Sequence, residues 1–365
     1  MRKTSVSLGL SLIFLLLIIN RAFGQDIKLT EKIIVDQASE LKATPMSFCV
    51  TEDKLFLLPD YQTGSIKVFN NEGNFLKFIK ELGPRFGKKG FMQPTYCFYS
   101  QNEGKLGVLD NKARKVFILD RQGKIGFSLF KEIVGKGYGY DIEFAGGGEQ
   151  VVISGYLIDK QSLPFDLYSI NIKNGQTNYL LPSHEKYNLE SYDEYVLEYR
   201  QKQTLPAIGI KAFIDIQGDD LFFVWEGALR IIKLDLVSKK QVVFGHATPH
   251  YTKPDGSRLS DSYKKRKVET TWKKRKKMTY VRNIFATSRH VFLVYEMGKN
   301  NKSNTSKFRM QTYTLEGDFL GDVLFPGNPG RQMWFDKEKY ELYAFSEQPG
   351  NDNGEFSILK YKIKR

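Results

Sequence analysis

One pattern of short strands and turns recurs along the chain, and this repeat constrains the fold more than any other feature of the sequence. In its clearest copy, apolar and aromatic runs occupy positions 48–50, 55–60 and 66–69, and a turn around Gly73 follows. The next copy covers residues 96–123 and keeps the spacing between its aspartate and its glycine. Runs of this kind, separated by Gly, Asn and Asp turns, predict β-strands joined by hairpins.

Four further copies follow, and they cover residues 151–175, 221–234, the region around 313–320, and 333–361. The copy around 313–320 restores the signature of the first copy, whereas the other three keep only the order of the strands. The sixth copy ends after its third strand, whereas Lys32-Ile33-Ile34-Val35 belongs to no copy. Pairing this segment with the sixth copy would remove the exposed edges that an open array presents. We therefore predict an all-β fold, a six-bladed β-propeller whose last blade is closed by the N-terminal strand.

The repeat is similar to NHL-type repeats. The residues that carry this resemblance are Leu58-Pro59-Asp60 or Val108-Leu109-Asp110, then Asn71-Glu72-Gly73-Asn74-Phe75-Leu76, and Gly87, Gly90-Phe91 and Pro94 before the next strand. With a signal peptide ahead of six degenerate copies, the chain resembles the exported six-bladed propeller families of Bacteroidota. The resemblance implies a fold and a compartment but no single activity, since propellers host binding scaffolds and hydrolases alike.

The first 24 residues predict export. Two basic residues precede an apolar run from Leu8 to Ile19, and Ala22-Phe23-Gly24 supplies small residues for cleavage, as in a secretory signal peptide. The run is shorter than the ~20 residues that a membrane-spanning helix needs. We expect residues 25–365 to form a periplasmic or extracellular protein without a transmembrane segment.

The net charge of +14 is concentrated in one segment. Residues 264–277 contain nine lysines and arginines against one glutamate. The rest of the mature surface is close to neutral, so we expect no nucleic-acid partner. In an exported protein this segment fits an anionic polysaccharide, a lipid surface or an envelope protein instead.

Residues that recur in every copy favour structural roles. Asp60 and Asp110 end their strands, where a carboxylate can accept hydrogen bonds from turn N–H groups. Gly73, Gly123, Gly175 and Gly317 are predicted to supply positive φ in hairpin turns. Cys49 and Cys97 are expected at the same position of neighbouring innermost strands, and splayed strands favour two buried thiols over a disulfide.

Two insertions interrupt the repeat, and they are the first candidate for a recognition surface. Both fall between the last strand of one blade and the first strand of the next, so we expect them side by side on one face. The alternative is that the tyrosines pack against the propeller and the basic residues form a solvated surface. The candidate binding residues are Tyr192, Tyr195 and Tyr199 in the insertion at 183–207, and Lys264, Lys265, Arg266, Lys273, Lys274 and Arg275 in the insertion at 246–279.

The mouth of the central channel is the second candidate site. Asp141, Lys211, Arg282 and Arg331 are expected where the innermost strands begin. Three of these four residues are basic, which would suit a small anion. Ordinary loop charges are the alternative explanation.

Catalysis has weaker support in the sequence. Only four histidines are present, two of them in the basic insertion, so three imidazoles that converge on a catalytic zinc are not expected. No G-x-S-x-G elbow or Walker loop occurs, and no cofactor is predicted. We therefore predict a non-catalytic binding module or scaffold for a polymer, a protein or an anionic ligand. The alternative is a calcium-assisted hydrolase or lyase with its site at the channel mouth.

Overall fold

The structure is a computed structural model that describes residues 26–36, 45–79, 91–100, 104–113, 115–119, 125–129, 138–158, 164–182, 212–246, 248–252, 277–298, 307–347 and 356–364. These residues form 24 β-strands in six antiparallel sheets of four strands, and no helix occurs among them. None of the described segments is therefore a helix long and apolar enough to cross a membrane.

Each sheet is one blade, and its strands follow one another in the chain. The first blade contains β2 (Cys49–Val50), β3 (Phe56–Asp60), β4 (Ser65–Phe69) and β5 (Phe75–Ile79). The second contains β6 (Pro94–Ser100), β7 (Lys105–Asp110), β8 (Lys115–Leu119) and β9 (Ile125–Leu129). The third contains β10 (Tyr138–Ala145), β11 (Gln150–Ile158), β12 (Pro164–Asn171) and β13 (Thr177–Pro182).

The remaining blades keep this order except at closure. The fourth contains β14 (Ala212–Gln217), β15 (Asp220–Trp225), β16 (Ile231–Asp235) and β17 (Gln241–Phe244). The fifth contains β18 (Tyr280–Ala286), β19 (His290–Met297), β20 (Lys307–Thr314) and β21 (Phe319–Leu324). The sixth contains β22 (Gln332–Asp336), β23 (Glu341–Glu347), β24 (Phe356–Ile363) and the N-terminal β1 (Ile27–Ile34).

The N-terminal strand closes the sixth blade, as predicted. β1 runs antiparallel to β24, from the Ile27–Ile363 pair to the Ile34–Ser357 pair. This contact joins residues more than 300 positions apart and turns a linear array into a ring. Closure leaves the six sheets with no blade at a free end.

Buried side chains occupy the junctions between successive blades. In β15, Phe222 packs toward blade five and its neighbour Phe223 toward blade three, and both are fully buried. The last junction contains Phe48 and Phe56 of blade one with Tyr343 of blade six. The middle strands are therefore covered on both faces, which explains why they are continuously apolar instead of alternating.

The repeated aspartates and glycines have the structural roles that the sequence predicted. Asp60 Oδ1 accepts hydrogen bonds from the backbone N–H groups of Gln62 and Thr63 at 3.0 and 3.2 Å. Asp60 is also paired with the fully buried Lys67 at 3.0 Å. Asp110 Oδ1 accepts from the Ala113 N–H at 2.7 Å. Positive φ is confirmed for Gly73, Gly175 and Gly317, whereas Gly123 lies outside the described residues.

The two cysteines are buried free thiols, as predicted, but their relative position differs from the prediction. Cys49 pairs with Leu57 and Cys97 with Val108, and both side chains belong to the core between blades one and two. Leu57 and Val108 are one repeat position apart, so the two cysteines also differ by one position, and the side chain of each faces the other blade. Burial and a hydrogen bond with Cys97 hold the pKa of the Cys49 thiol well above its usual value.

Candidate functional site: the axial cavity

The first strands of the six blades surround a cavity of about 540 Å³ on the propeller axis. These inner strands are β2, β6, β10, β14, β18 and β22. The wall includes an aromatic set and a charged set. The aromatic set contains Tyr96, Phe98, Phe144, Phe213, Phe285 and Trp334, and the charged set contains Asp141, Glu143, Asp215, Arg282, Arg289, Arg331, Lys337 and Glu338.

Polar side chains on the wall connect inner strands that do not pair with each other. Each inner strand is the edge of its own sheet, so its outward N–H and C=O groups need other partners. Four side chains provide them. Ser47 Oγ accepts a hydrogen bond from the Cys97 N–H (2.8 Å), Asp141 Oδ2 accepts from the Ile214 N–H (3.0 Å), and Asp215 Oδ2 accepts from the Ala286 N–H (2.6 Å). Asn283 Nδ2 donates to the carbonyl oxygen of Met333 (3.2 Å).

Three carboxyl groups converge on the wall where blades three and four meet. Asp141 and Glu143 lie on β10 and Asp215 lies on β14. The ammonium group of Lys337 contacts Asp215 Oδ1 at 2.6 Å and the carbonyl oxygen of Ile216 at 2.8 Å. Three acids thus share one nearby cation, and each ionised acid disfavours ionisation of its neighbours.

Burial and this crowding together raise the pKa values of two of the acids. Burial, reinforced by the charge of Asp215, raises the pKa of Asp141 to about 7, although hydrogen bonds from the N–H groups of Ile214 and Ile142 act in the opposite direction. Burial and the charges of Asp215 and Asp141 also raise the pKa of Glu143 well above its usual value, against the opposing effect of Lys337. Near neutral pH the cavity wall can therefore exchange protons.

A second charged group lies where β18 and β22 begin. Arg282 is buried and contacts Glu226 Oε1 and Glu296 Oε2, each at 2.6 Å. Arg331 donates two further hydrogen bonds to Glu296, at 3.0 and 3.2 Å. Two arginines and two glutamates from blades four, five and six thus form one network whose formal charges cancel.

A β-bulge explains the orientation of Arg282. The β18–β19 register shifts between Val281 and Asn283, so Arg282 is the extra residue in its strand. A bulge of this kind changes the direction of a side chain, which no longer follows the alternation between the two faces of the strand. The guanidinium group consequently reaches glutamates of two blades.

The structure brings together three of the four predicted mouth residues, since Asp141, Arg282 and Arg331 all line the cavity. Asp141 and Arg282 lie within their strands, three and two residues from the start, while Arg331 directly precedes β22. Glu226 and Glu296 neutralise Arg282 and Arg331, so these two arginines leave no net positive charge for the predicted small anion. Lys211 lies outside the described residues.

Most of both insertions also lies outside the described residues. This applies to Tyr192, Tyr195, Tyr199, Lys264, Lys265, Arg266, Lys273, Lys274 and Arg275. The topology does place the two insertions on successive connections, from β13 to β14 and from β17 to β18.

The two ends of the basic insertion meet at the face where the inner strands begin. Thr252 and Thr279 exchange two hydrogen bonds, at 2.9 and 3.0 Å. The hydroxyl of Tyr251 donates to the carbonyl oxygen of Gly227 at 2.6 Å, next to Glu226. The segment between Thr252 and Thr279 therefore starts and ends beside the arginine network.

Among the described residues, no group of three or more His, Cys, Asp and Glu side chains has a geometry suited to a metal ion. Both oxygens of Asp141 and of Asp215 already accept backbone hydrogen bonds. His246 stacks on Phe319 with ring centroids 3.9 Å apart. Burial and the charge of Arg289 lower the pKa of His290.

Sequence reasoning missed Glu143, Asp215, Lys337, Glu226 and Glu296. A usable signal was present for the first two, because each is an acid inside an otherwise apolar strand, in Ile142-Glu143-Phe144 and Ile214-Asp215-Ile216. The other three come from a turn, a loop and a second strand. Only the folded ring brings them to the axis.

The fold and its axial cavity define this chain as a six-bladed β-propeller. No family model and no curated protein sequence matches it. A member of the DUF4221 family from Bacteroides vulgatus has a similar structure, with a TM-score of 0.66, 13% identity, and coverage of 93% of this chain and 99% of that one.

A protein from Bacteroides fragilis whose name describes it as exported is also similar, with a TM-score of 0.58 and 12% identity. The match covers 93% of this chain and 96% of that protein. Both solved structures come from Bacteroides, so the predicted likeness to propellers of Bacteroidota is confirmed at the level of the fold.

Proposed function

We propose that this protein is an exported, non-catalytic binding propeller whose ligand occupies the axial cavity. The cavity volume of about 540 Å³ supports this proposal, because small-molecule sites typically measure roughly 300–1,000 Å³. The wall combines aromatic faces with a few polar groups, which is the usual composition of a ligand site.

The polar wall groups are held in fixed positions before any ligand arrives. Asp141 accepts from two backbone N–H groups, and Asp215 accepts from two others and from Lys337. Arg282 is held by two glutamates. A preorganised wall lowers the ordering cost of binding, which favours a recognition role.

Export is supported by the predicted signal peptide in residues 1–24. The similar protein from Bacteroides fragilis is described by its name as exported, which agrees with this part of the proposal. The ligand would then be a component of the periplasm or of the surroundings of the cell.

A cavity-filling variant tests the site. Gln332 lines the cavity, is half-buried, and makes no side-chain hydrogen bond within the described part of the chain, so a larger side chain can replace it. Native mass spectrometry of the protein purified from its host would show whether a small molecule copurifies. We expect Gln332→Trp to abolish that adduct and Gln62→Trp, the same change at an exposed turn, to retain it. An adduct that survives Gln332→Trp would place the ligand elsewhere.

We also propose that the basic segment at 264–277 binds an anionic polysaccharide. Its attachment beside the cavity mouth supports a role near the ligand site. Replacing its nine basic residues with glutamine should abolish retention on immobilised anionic polysaccharide at low salt. Unchanged retention would remove this segment as a binding surface, and retention only on anionic lipid vesicles or envelope proteins would redirect the proposal to those partners.

A further inference from the structure

Glu143 is the acid of the cavity wall that the structure leaves without a hydrogen-bond partner in the described part of the chain. Asp141 and Asp215 are both tied to backbone N–H groups, and Asp215 is also paired with Lys337. Glu143 instead faces the cavity, half-buried, close enough to Asp141, Asp215 and Lys337 to feel their charges. An added cation would stabilise the ionised form of a carboxyl group in such surroundings.

Trp334 lies across the axis from Glu143. Blades three and six are opposite each other in a six-bladed ring, and both residues stand two positions before the end of their inner strand. Trp334 lines the same cavity and is half-buried. An indole ring is the best of the aromatic side chains at attracting a cation over its face. An acid and an indole thus line opposite sides of the cavity at one level, and the indole also packs against Tyr343 of its own blade.

The cavity already holds one ammonium group of the chain itself. Lys337 places its Nζ against Asp215 Oδ1 and the Ile216 carbonyl oxygen. With this pair formed, Asp141 and Glu143 remain without a cation of their own. The two arginines of the mouth do not supply one, because Glu226 and Glu296 neutralise them.

We propose that the cavity binds a ligand that carries an ammonium group, with the cation between Glu143 and Trp334. This inference rests on the proposed function, since it names the ligand class for the same cavity. An anionic ligand is disfavoured because it would approach Asp141 and Glu143, while Lys337, Arg282 and Arg331 are each already paired with a carboxylate.

Proton exchange provides a signature of this binding mode. A bound ammonium group stabilises the ionised form of Glu143, so binding should release a proton wherever the free protein holds one there. Affinity should therefore rise with pH as Glu143 ionises in the free protein. The other charged groups around the site are Asp141, Asp215 and Lys337, with Arg289 and Glu338 on turns that also line the cavity.

Three probes with the same ring separate the effect of ligand charge on affinity from the effect of the ring. Cyclohexylamine, cyclohexanol and cyclohexanecarboxylate share one ring and carry a positive, a zero and a negative charge at neutral pH. Calorimetric titration of the full exported chain should show the amine binding about 10- to 100-fold more tightly than the alcohol, which is the range for a charged hydrogen bond. Titration in two buffers of different ionisation enthalpy would measure the released proton.

Variants then assign the effect to the two residues. Glu143→Gln keeps the shape of the side chain and should reduce amine affinity about tenfold or more while leaving alcohol affinity unchanged. Trp334→Leu should weaken the amine more than the alcohol, because the alcohol loses only apolar contact. Glu316→Gln, an exposed acid away from the axis, is the matched control and should have no effect. Circular dichroism of each variant would confirm that the propeller is folded.

Two results would overturn the proposal, and they differ in what else they remove. If the alcohol or the carboxylate binds as tightly as the amine and Gln332→Trp blocks that binding, the ammonium assignment fails while the axial site remains. If no probe binds in a way that Gln332→Trp blocks and no adduct copurifies, the axial site fails as well. Amine binding that is insensitive to Glu143→Gln also contradicts the assignment.

Discussion

Replacing Asp141 with asparagine should flatten the dependence of stability on pH. The folded protein holds the Asp141 proton more tightly than the unfolded chain, since its pKa is raised from 3.8 to about 7. Between these two values unfolding releases a proton, so the free energy of unfolding falls as the pH rises. The stabilisation is fully present below the lower value and is lost as the pH passes the upper one.

The magnitude follows from the size of the pKa change. A rise from 3.8 to about 7 corresponds to about 4 kcal/mol at about 1.4 kcal/mol for each tenfold change in proton affinity. Asp141 is only half-buried on the cavity wall, and solvent screening reduces this to about 2–4 kcal/mol. For about 340 folded residues, an unfolding entropy of roughly 2 cal/mol/K per residue converts that range to about 3–6 °C in Tm.

Thermal unfolding of wild type, Asp141→Asn and the surface control Asp318→Asn would be recorded from about pH 4 to about pH 8, which covers the interval between the unfolded and folded pKa values of 3.8 and about 7. The asparagine still offers an oxygen to the Ile214 N–H, so the interstrand contact is retained. We expect the wild type and the control to lose about 3–6 °C more than Asp141→Asn over this range. Parallel profiles for all three proteins would refute the argument.

Three further predictions concern the mouth, closure and metal binding. Arg282→Met leaves Glu226 without its buried cation and should lower the free energy of unfolding by about 3–5 kcal/mol in chemical denaturation. Arg331→Met, at a half-exposed position, should lower it by about 1 kcal/mol or less. Equal effects of the two changes would contradict the network. Gly73→Ala should lower Tm, because Gly73 has φ of +89° and an added Cβ would collide with the Ile34 carbonyl of the closing strand; an unchanged Tm would refute this. Calcium or EDTA should leave Tm within about 1 °C, because no described set of three ligands is present; calcium-dependent stabilisation would restore the hydrolase alternative.

The positions of individual side chains were harder to predict than the blades. Counting along the repeat placed Cys49 and Cys97 at equivalent positions, but the register shifts them by one residue. β-bulges at Thr95, Tyr140 and Arg282 interrupt three inner strands, whereas β14 has none. Because one extra residue reverses which face a side chain occupies, small errors of alignment move a residue between the core and the cavity.

The charged residues of the cavity illustrate the same limit. Arg282 and Arg331 were correctly expected at the axis, yet their partners Glu226 and Glu296 come from a loop and a second strand. Nothing in the local sequence relates these four residues. Only the folded ring brings their opposite charges together, and the four residues then form a network without net charge.

The sequence by itself determined the propeller, because each blade is a local structure. Short apolar runs, aspartates that bind turn N–H groups and glycines at positive φ act over a few residues. The N-terminal segment could then pair only with the sixth copy, which lacked a fourth strand. The tertiary structure alone decided the character of the cavity. Asp141, Glu143, Asp215, Lys337 and Trp334 belong to three blades, and their shared surroundings set the pKa values and charges that distinguish a cation site from an anion site.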